Sequence, residues 1–117
     1  MEEVVRIDLA LETETRDPWT VVSVHGEIDA YTSPQLRSKL REVIDGGSSD
    51  LLIDLEGVGF MDSTGLGVLI GALKRLRERD GRVALVVTRP PLLRILRITG
   101  LDQVFTLYES LDGAVAS

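Results

Sequence analysis

The sequence predicts an α/β domain on a mixed sheet, and three observations carry that expectation. Two strand patterns come first, helix and strand patterns alternate after them, and 117 residues without repeat or linker leave room for one hydrophobic core. The expected architecture is a four- to five-stranded sheet with an N-terminal β-hairpin and about four helices, residues 1–117 forming a single domain.

Val5, Ile7, Leu9 and Leu11 alternate with Arg6, Asp8, Ala10 and Glu12, the period of a strand with one buried face. The turn signal Asp17-Pro18 follows, and Trp19 to His25 is rich in β-branched and aromatic residues up to Gly26, so the two segments are expected to pair as a hairpin. Thr32-Ser33-Pro34-Gln35 then places capping hydroxyls before a proline tolerated in a first helical turn. Leu36, Leu40, Val43 and Ile44 keep helical spacing to about Asp45, where Gly46-Gly47 stop it. Leu51 to Leu55 is a short apolar run bounded by Gly57, as in a strand covered on both faces. A second helix is expected from Ser63 to about Asp80, with Leu66, Leu69, Ile70, Leu73 and Leu76 on one stripe and basic residues near its end. Val83 to Val87 reads as another buried strand. Pro90-Pro91 opens a third helix that Gly100 closes, Val104 to Tyr108 reads as an edge strand, and the last residues as a short helix. Right-handed crossovers would join the parallel neighbours.

Composition removes several classes of function. With 44% hydrophobic and 27% charged residues the chain is an ordinary globule, and a net charge of −6 disfavours a nucleic-acid partner. No cysteine is present, so disulfides, thiolate metal sites and cysteine nucleophiles are excluded, and a lone His25 cannot build a histidine-rich metal site. The start is acidic where a signal peptide would be basic, and the longest apolar stretch, Leu66 to Leu73, is far shorter than the roughly 20 residues of a membrane helix, so a cytoplasmic protein without a membrane partner is expected. The charge is unevenly spread: residues 1–62 carry 14 acids and 5 bases, residues 63–117 carry 5 acids and 8 bases.

The segment Gly57 to Gly67 joins a central strand to a helix, where open α/β sheets place ligands. Ser63 or Thr64 is expected to cap the helix with its hydroxyl, a purely structural role. Gly65, Gly67 and Gly71 each cost roughly 0.5 to 1 kcal/mol inside a helix relative to alanine, which points to something packing close, a ligand or a neighbouring helix. Ile70 stands where the dinucleotide fingerprint would need a third glycine, and no phosphate-loop lysine motif occurs, so no cofactor is expected. Ser63 is not in a Gly-x-Ser-x-Gly elbow, His25 is its only available base, and Glu27 and Asp29 are explained equally by a solvated loop.

Gly26-Glu27-Ile28-Asp29, Leu52-Ile53-Asp54-Leu55 and above all Asp62-Ser63-Thr64-Gly65-Leu66-Gly67 resemble, in order and spacing, the STAS family and within it the bacterial anti-sigma factor antagonists. The resemblance runs from about Val4 to Leu111. It implies a protein-binding switch with no catalytic site. Ser63 would be phosphorylated by a partner that is both anti-sigma factor and serine kinase, and a phosphatase would reverse the mark. The unphosphorylated form would bind the kinase and release the sigma factor, so that transcription begins. Thr64, where many members have a second serine, is a rival acceptor. Other implied roles are a scaffold in a stress-signalling complex or a companion of an anion transporter; outside the family stands a small hydrolase or nucleotide-binding enzyme using Ser63 and His25.

A phosphate on Ser63 would add a charge of about −1.5 to −2 at a helix N-terminus, where the dipole tolerates an anion. Beside Asp62, and beside Glu27 and Asp29 if their loop reaches the same rim, it would crowd like charges under a docked partner. Glu27, Asp29, Asp62 and Ser63 are therefore expected on one partner-binding face with Thr64 and Gly65, flanked by Tyr31, Met61 and Leu66 as apolar contacts, Tyr31 and Met61 being equally candidates for the core.

Overall fold

In the computed structural model, which describes residues 8–117, five strands lie in the order β1 (Ala10–Arg16), β2 (Trp19–Ile28), β3 (Asp50–Met61), β4 (Arg82–Val86) and β5 (Thr106–Tyr108). β1 and β2 are antiparallel and every later neighbour is parallel. Helices α1 (Ser33–Asp45), α2 (Ser63–Arg77) and α3 (Pro90–Ile98) connect the parallel strands, a 3₁₀ turn at Leu101–Gln103 precedes β5, and α4 (Leu111–Val115) ends the chain.

The apolar runs read as doubly covered strands have that role. Val22, Val24, Leu51, Ile53, Leu55, Val83 and Leu85 pack into the main core with Leu36, Leu40 and Ile44 of α1, Leu69 and Leu76 of α2 and Leu92 and Leu96 of α3. The alternate residues Val21, Leu52, Ala84 and Val86 form a second cluster with Trp19 and Ala114, closed over by Leu111 and Val115 of α4. With both faces of the sheet covered, successive residues of the inner strands are apolar, as in Val21-Val22, Leu51-Leu52-Ile53 and Val83 to Val86.

Several boundaries differ from expectation, each for a physical reason. The first strand begins at Ala10; Val5 and Ile7 lie outside the described residues. Thr13 and Thr15 carry it on to Arg16, which pairs with Trp19 across the Asp17-Pro18 turn. As an edge strand it shows Glu12 and Glu14 to solvent, a charged edge that resists pairing with other chains. β3 does not stop at Gly57 but continues to Met61, because two irregularities in its pairing with β2 each accommodate an extra residue of β3. Gly57 is a close approach and not a stop: a Cβ there would fall 2.1 Å from Nδ1 of His25. α2 ends at Arg77 because Asp80 adopts a left-handed conformation (φ 57°) and the Gly81 amide donates back to the Leu76 carbonyl at 2.7 Å. The edge strand β5 is shorter than expected, since Leu101–Gln103 winds into the 3₁₀ turn.

Candidate functional site

Parallel pairing sets the site. Glu27 lies opposite Phe60 and Ile28 opposite Met61, and the Asp62 amide donates to the Ile28 carbonyl at 3.1 Å, so the loops leaving β2 and β3 emerge together at one end of the sheet. Glu27, Asp29, Asp62 and Ser63 are thus on one rim, although residues 29 and 62 are far apart in the chain.

Asp62 is the N-cap of α2. Its Oδ1 accepts from the amides of Thr64 (2.9 Å) and Gly65 (3.3 Å), and the Thr64 hydroxyl donates to the same oxygen. These donors, the hydroxyl first, hold the Asp62 carboxyl below the usual aspartate range against the opposing effect of its partial burial. The cap is therefore a carboxylate, not the hydroxyl of Ser63 or Thr64 expected from the sequence. Ser63 occupies the first helical position, exposed, with no hydrogen-bond partner for its hydroxyl among the described residues.

Across the rim, Asp29 is committed to the fold. Its Oδ1 accepts from the amides of Tyr31 (2.9 Å) and Thr32 (3.0 Å) and lies 3.2 Å from the Thr32 hydroxyl, an Asx-type turn leading into α1. The Thr32 hydroxyl in turn accepts from the Asp29 amide and sits 2.7 Å from the Glu27 carbonyl. Thr32 caps α1 through its backbone position only; the hydroxyl cap read from Thr32-Ser33 is absent because that hydroxyl ties down the loop. Glu27 is exposed on the same rim.

The apolar contacts divide. Tyr31 is 44% exposed, whereas Met61 and Leu66 are only 4% and 6% exposed and belong to the core, which takes the core alternative for Met61 and corrects the placement of Leu66 on the face. Gly65 explains why: a Cβ there would lie 2.6 Å from Ile28 Cγ2 and 2.7 Å from Met61 Cγ, so the first turn of α2 sits directly on those side chains. Gly67 and Gly71 have no such neighbour; a Cβ on either meets nothing within 4 Å. Phe60, 49% exposed beside Glu27, is the apolar rim residue that periodicity missed. The second irregularity in β3 turns it outward, and the one available signal was an aromatic residue standing directly before the turn segment.

Among the described residues no side chain forms a hydrogen bond with the Ser63 hydroxyl. His25 stacks beside Gly57, back along the strands, and makes no hydrogen bond to the serine. Among the described residues no group of three or more His, Asp or Glu could hold a metal ion, and no helix is long and apolar enough to cross a membrane.

The mixed-sheet domain thus brings an exposed hydroxyl and carboxylates from two loops to one rim at the end of β2 and β3. The comparisons name the family: residues 10–114 match the STAS domain, and the chain belongs to that family. An anti-sigma-B factor antagonist from Staphylococcus aureus (strain NCTC 8325 / PS 47) is 36% identical over 106 residues, covering 91% of this chain and 98% of that protein. The crystal structure of an anti-sigma factor antagonist from Mycobacterium paratuberculosis superposes with a TM-score of 0.85 at 36% identity, covering 92% of both chains. The Bacillus cell fate determinant SpoIIAA in its phosphorylated form superposes with a TM-score of 0.70 at 27% identity, covering 92% of this chain and 96% of that one.

Proposed function

We propose that this chain is an anti-sigma factor antagonist switched by phosphorylation of Ser63. Unphosphorylated, it binds a partner that is both anti-sigma factor and ATP-dependent serine kinase, and so frees the sigma factor for transcription; the phosphorylated form lets the partner go, and a phosphatase resets it. It acts in the cytoplasm, where sigma factors meet RNA polymerase. Its own role is to be bound and marked, with no catalytic residue contributed. The likeness to named antagonists supports the class, and the phosphorylated relative shows that a chain of this fold carries such a mark.

One observation carries the choice of residue. The Ser63 hydroxyl is exposed and unbonded, while that of Thr64 donates to Asp62. In the transfer, Ser63 Oγ attacks the γ-phosphorus of ATP, ADP leaves, and the hydroxyl proton passes to a base of the kinase. The added charge of about −1.5 to −2 stands next to a carboxylate held in its ionised form. Asp62 already occupies the Thr64 and Gly65 amides, so the phosphate finds these donors taken and remains a solvated charge. Solvated, it leaves the fold intact; buried under a docked protein it would be desolvated among like charges, with Glu27 on the same rim.

Incubation with ATP and the cognate kinase, followed by mass spectrometry, should locate the phosphate on Ser63. Ser63→Ala should bind the kinase and take up none. Full incorporation in that variant would move the acceptor to Thr64.

A further inference from the structure

A groove of about 130 Å³ runs between α1 and α2. Leu40 and Ile44 of α1 and Val68 and Ala72 of α2 give it a buried apolar floor. Gly67 and Gly71 line it as well, both exposed. No atom of the described chain requires either to be glycine, although each weakens the helix relative to alanine.

Three guanidinium groups stand around this floor, in a chain whose net charge is −6. Arg75 of α2 reaches Asp45 at 3.5 Å, in an exposed pair of little strength, while Arg37 and Arg41 of α1 form no ion pair among the described residues. The groove also begins one helical turn from the rim, at Gly67. Ser63, Gly67, Gly71 and Arg75 follow at intervals of four along one stripe of α2, and Gly71 is about 12 Å down the axis from Ser63.

We propose that this groove is the second half of the partner interface and docks an acidic segment of the anti-sigma factor kinase. Carboxylates of that segment meet Arg37 and Arg41, and its backbone or small side chains approach α2 where Gly67 and Gly71 present no side chain. The charge around the groove selects an acidic occupant, and the apolar floor supplies the burial that a purely charged contact lacks. The inference rests on Ser63 as the switch and explains its reach: a phosphate one turn above Gly67 repels the same acidic segment that the arginines attract.

The test is calorimetric titration of the full chain with the anti-sigma factor kinase of its own cell, at low and high salt, together with phosphate incorporation from ATP. Arg37→Glu combined with Arg41→Glu should weaken binding by about tenfold or more and flatten the salt dependence. Gly71→Leu should keep or raise the Tm, because its side chain enters open space on a helix that gains propensity, yet weaken binding to a similar degree. Wild-type affinity in either variant overturns the proposal. If those variants bind normally while the wild type is still phosphorylated on Ser63, the groove falls and the switch stands; if the wild type neither binds the kinase nor takes up phosphate, the switch falls and the groove with it.

Discussion

The starts of α1 and α2 lie side by side at the ends of β2 and β3, and each joins an aspartate to a serine and a threonine. At α1 the aspartate binds two amides of its own loop, and Thr32 and Ser33 are only 2% and 4% exposed. At α2 the aspartate binds two amides of the helix, and Ser63 faces solvent. Connection length makes the difference. Residues 29–32 separate β2 from α1, enough chain to fold both hydroxyl residues inward, whereas Asp62 alone separates β3 from α2, so the next residue enters the helix at once. Similar residues thus make a sealed corner in one place and an accessible acceptor in the other.

The largest expected effect breaks the floor beneath the open start. Gly65→Val would drive its side chain into Ile28 and Met61, costing about 2 to 3 kcal/mol in urea unfolding; a loss under about 0.5 kcal/mol would show that the contact relaxes freely. Next, Asp29→Ala should cost about 2 kcal/mol, because two amides and a buried threonine lose a charged acceptor. Asp29→Lys therefore tests the fold before it tests docking, and Glu27→Lys, on an exposed side chain, is the cleaner probe of the acidic rim.

Asp62→Ala should cost less, about 1 kcal/mol at neutral pH, as for a typical N-cap. Its pH dependence has a definite sign. The folded pKa is lowered, so the stabilisation is present in full above the ordinary aspartate value of about 4 and is lost as the pH falls through the lowered folded value. Wild type and variant should then converge in acid, and a constant gap between their acid and neutral stabilities would exclude the carboxylate as the cause. Smallest of all, Ser63→Ala should leave stability within about 0.5 kcal/mol, since the hydroxyl has no partner to lose. A Tm drop comparable to that of Asp62→Ala would mean that the serine, too, is part of the cap.

Much of this was legible in the chain itself. Leu51 and Ile53 against Leu52 announce a strand covered on both faces, and Pro34, Gly46 and Gly100 punctuate helices by local chemistry. Asp62-Ser63-Thr64-Gly65 marked the site by its composition. The outward turn of Phe60 was not legible, because it depends on how many residues β3 inserts against β2. The burial of Met61 and Leu66 was only half legible: Met61 stood equally for rim and core, Leu66 lay on the apolar stripe of α2 and was also placed on the face, and the choice depends on Gly65 settling onto Ile28, a residue 37 positions earlier.

By itself, then, the sequence determined the order of elements, the class of fold and the segment where function resides, because periodicity, capping and turn preferences act over a few residues. Only the tertiary structure decided which carboxylate caps a helix and which seals a loop, that the Thr64 hydroxyl is engaged while that of Ser63 is open, and that a groove lined by arginines lies between α1 and α2. Those properties arise where β2 meets β3 and α1 meets α2. Solvent access and the groove depend on such contacts between distant residues, which local pattern does not encode; the bonds of Asp29 and Asp62 span only two or three residues, but where β2 and β3 end decides which of them form.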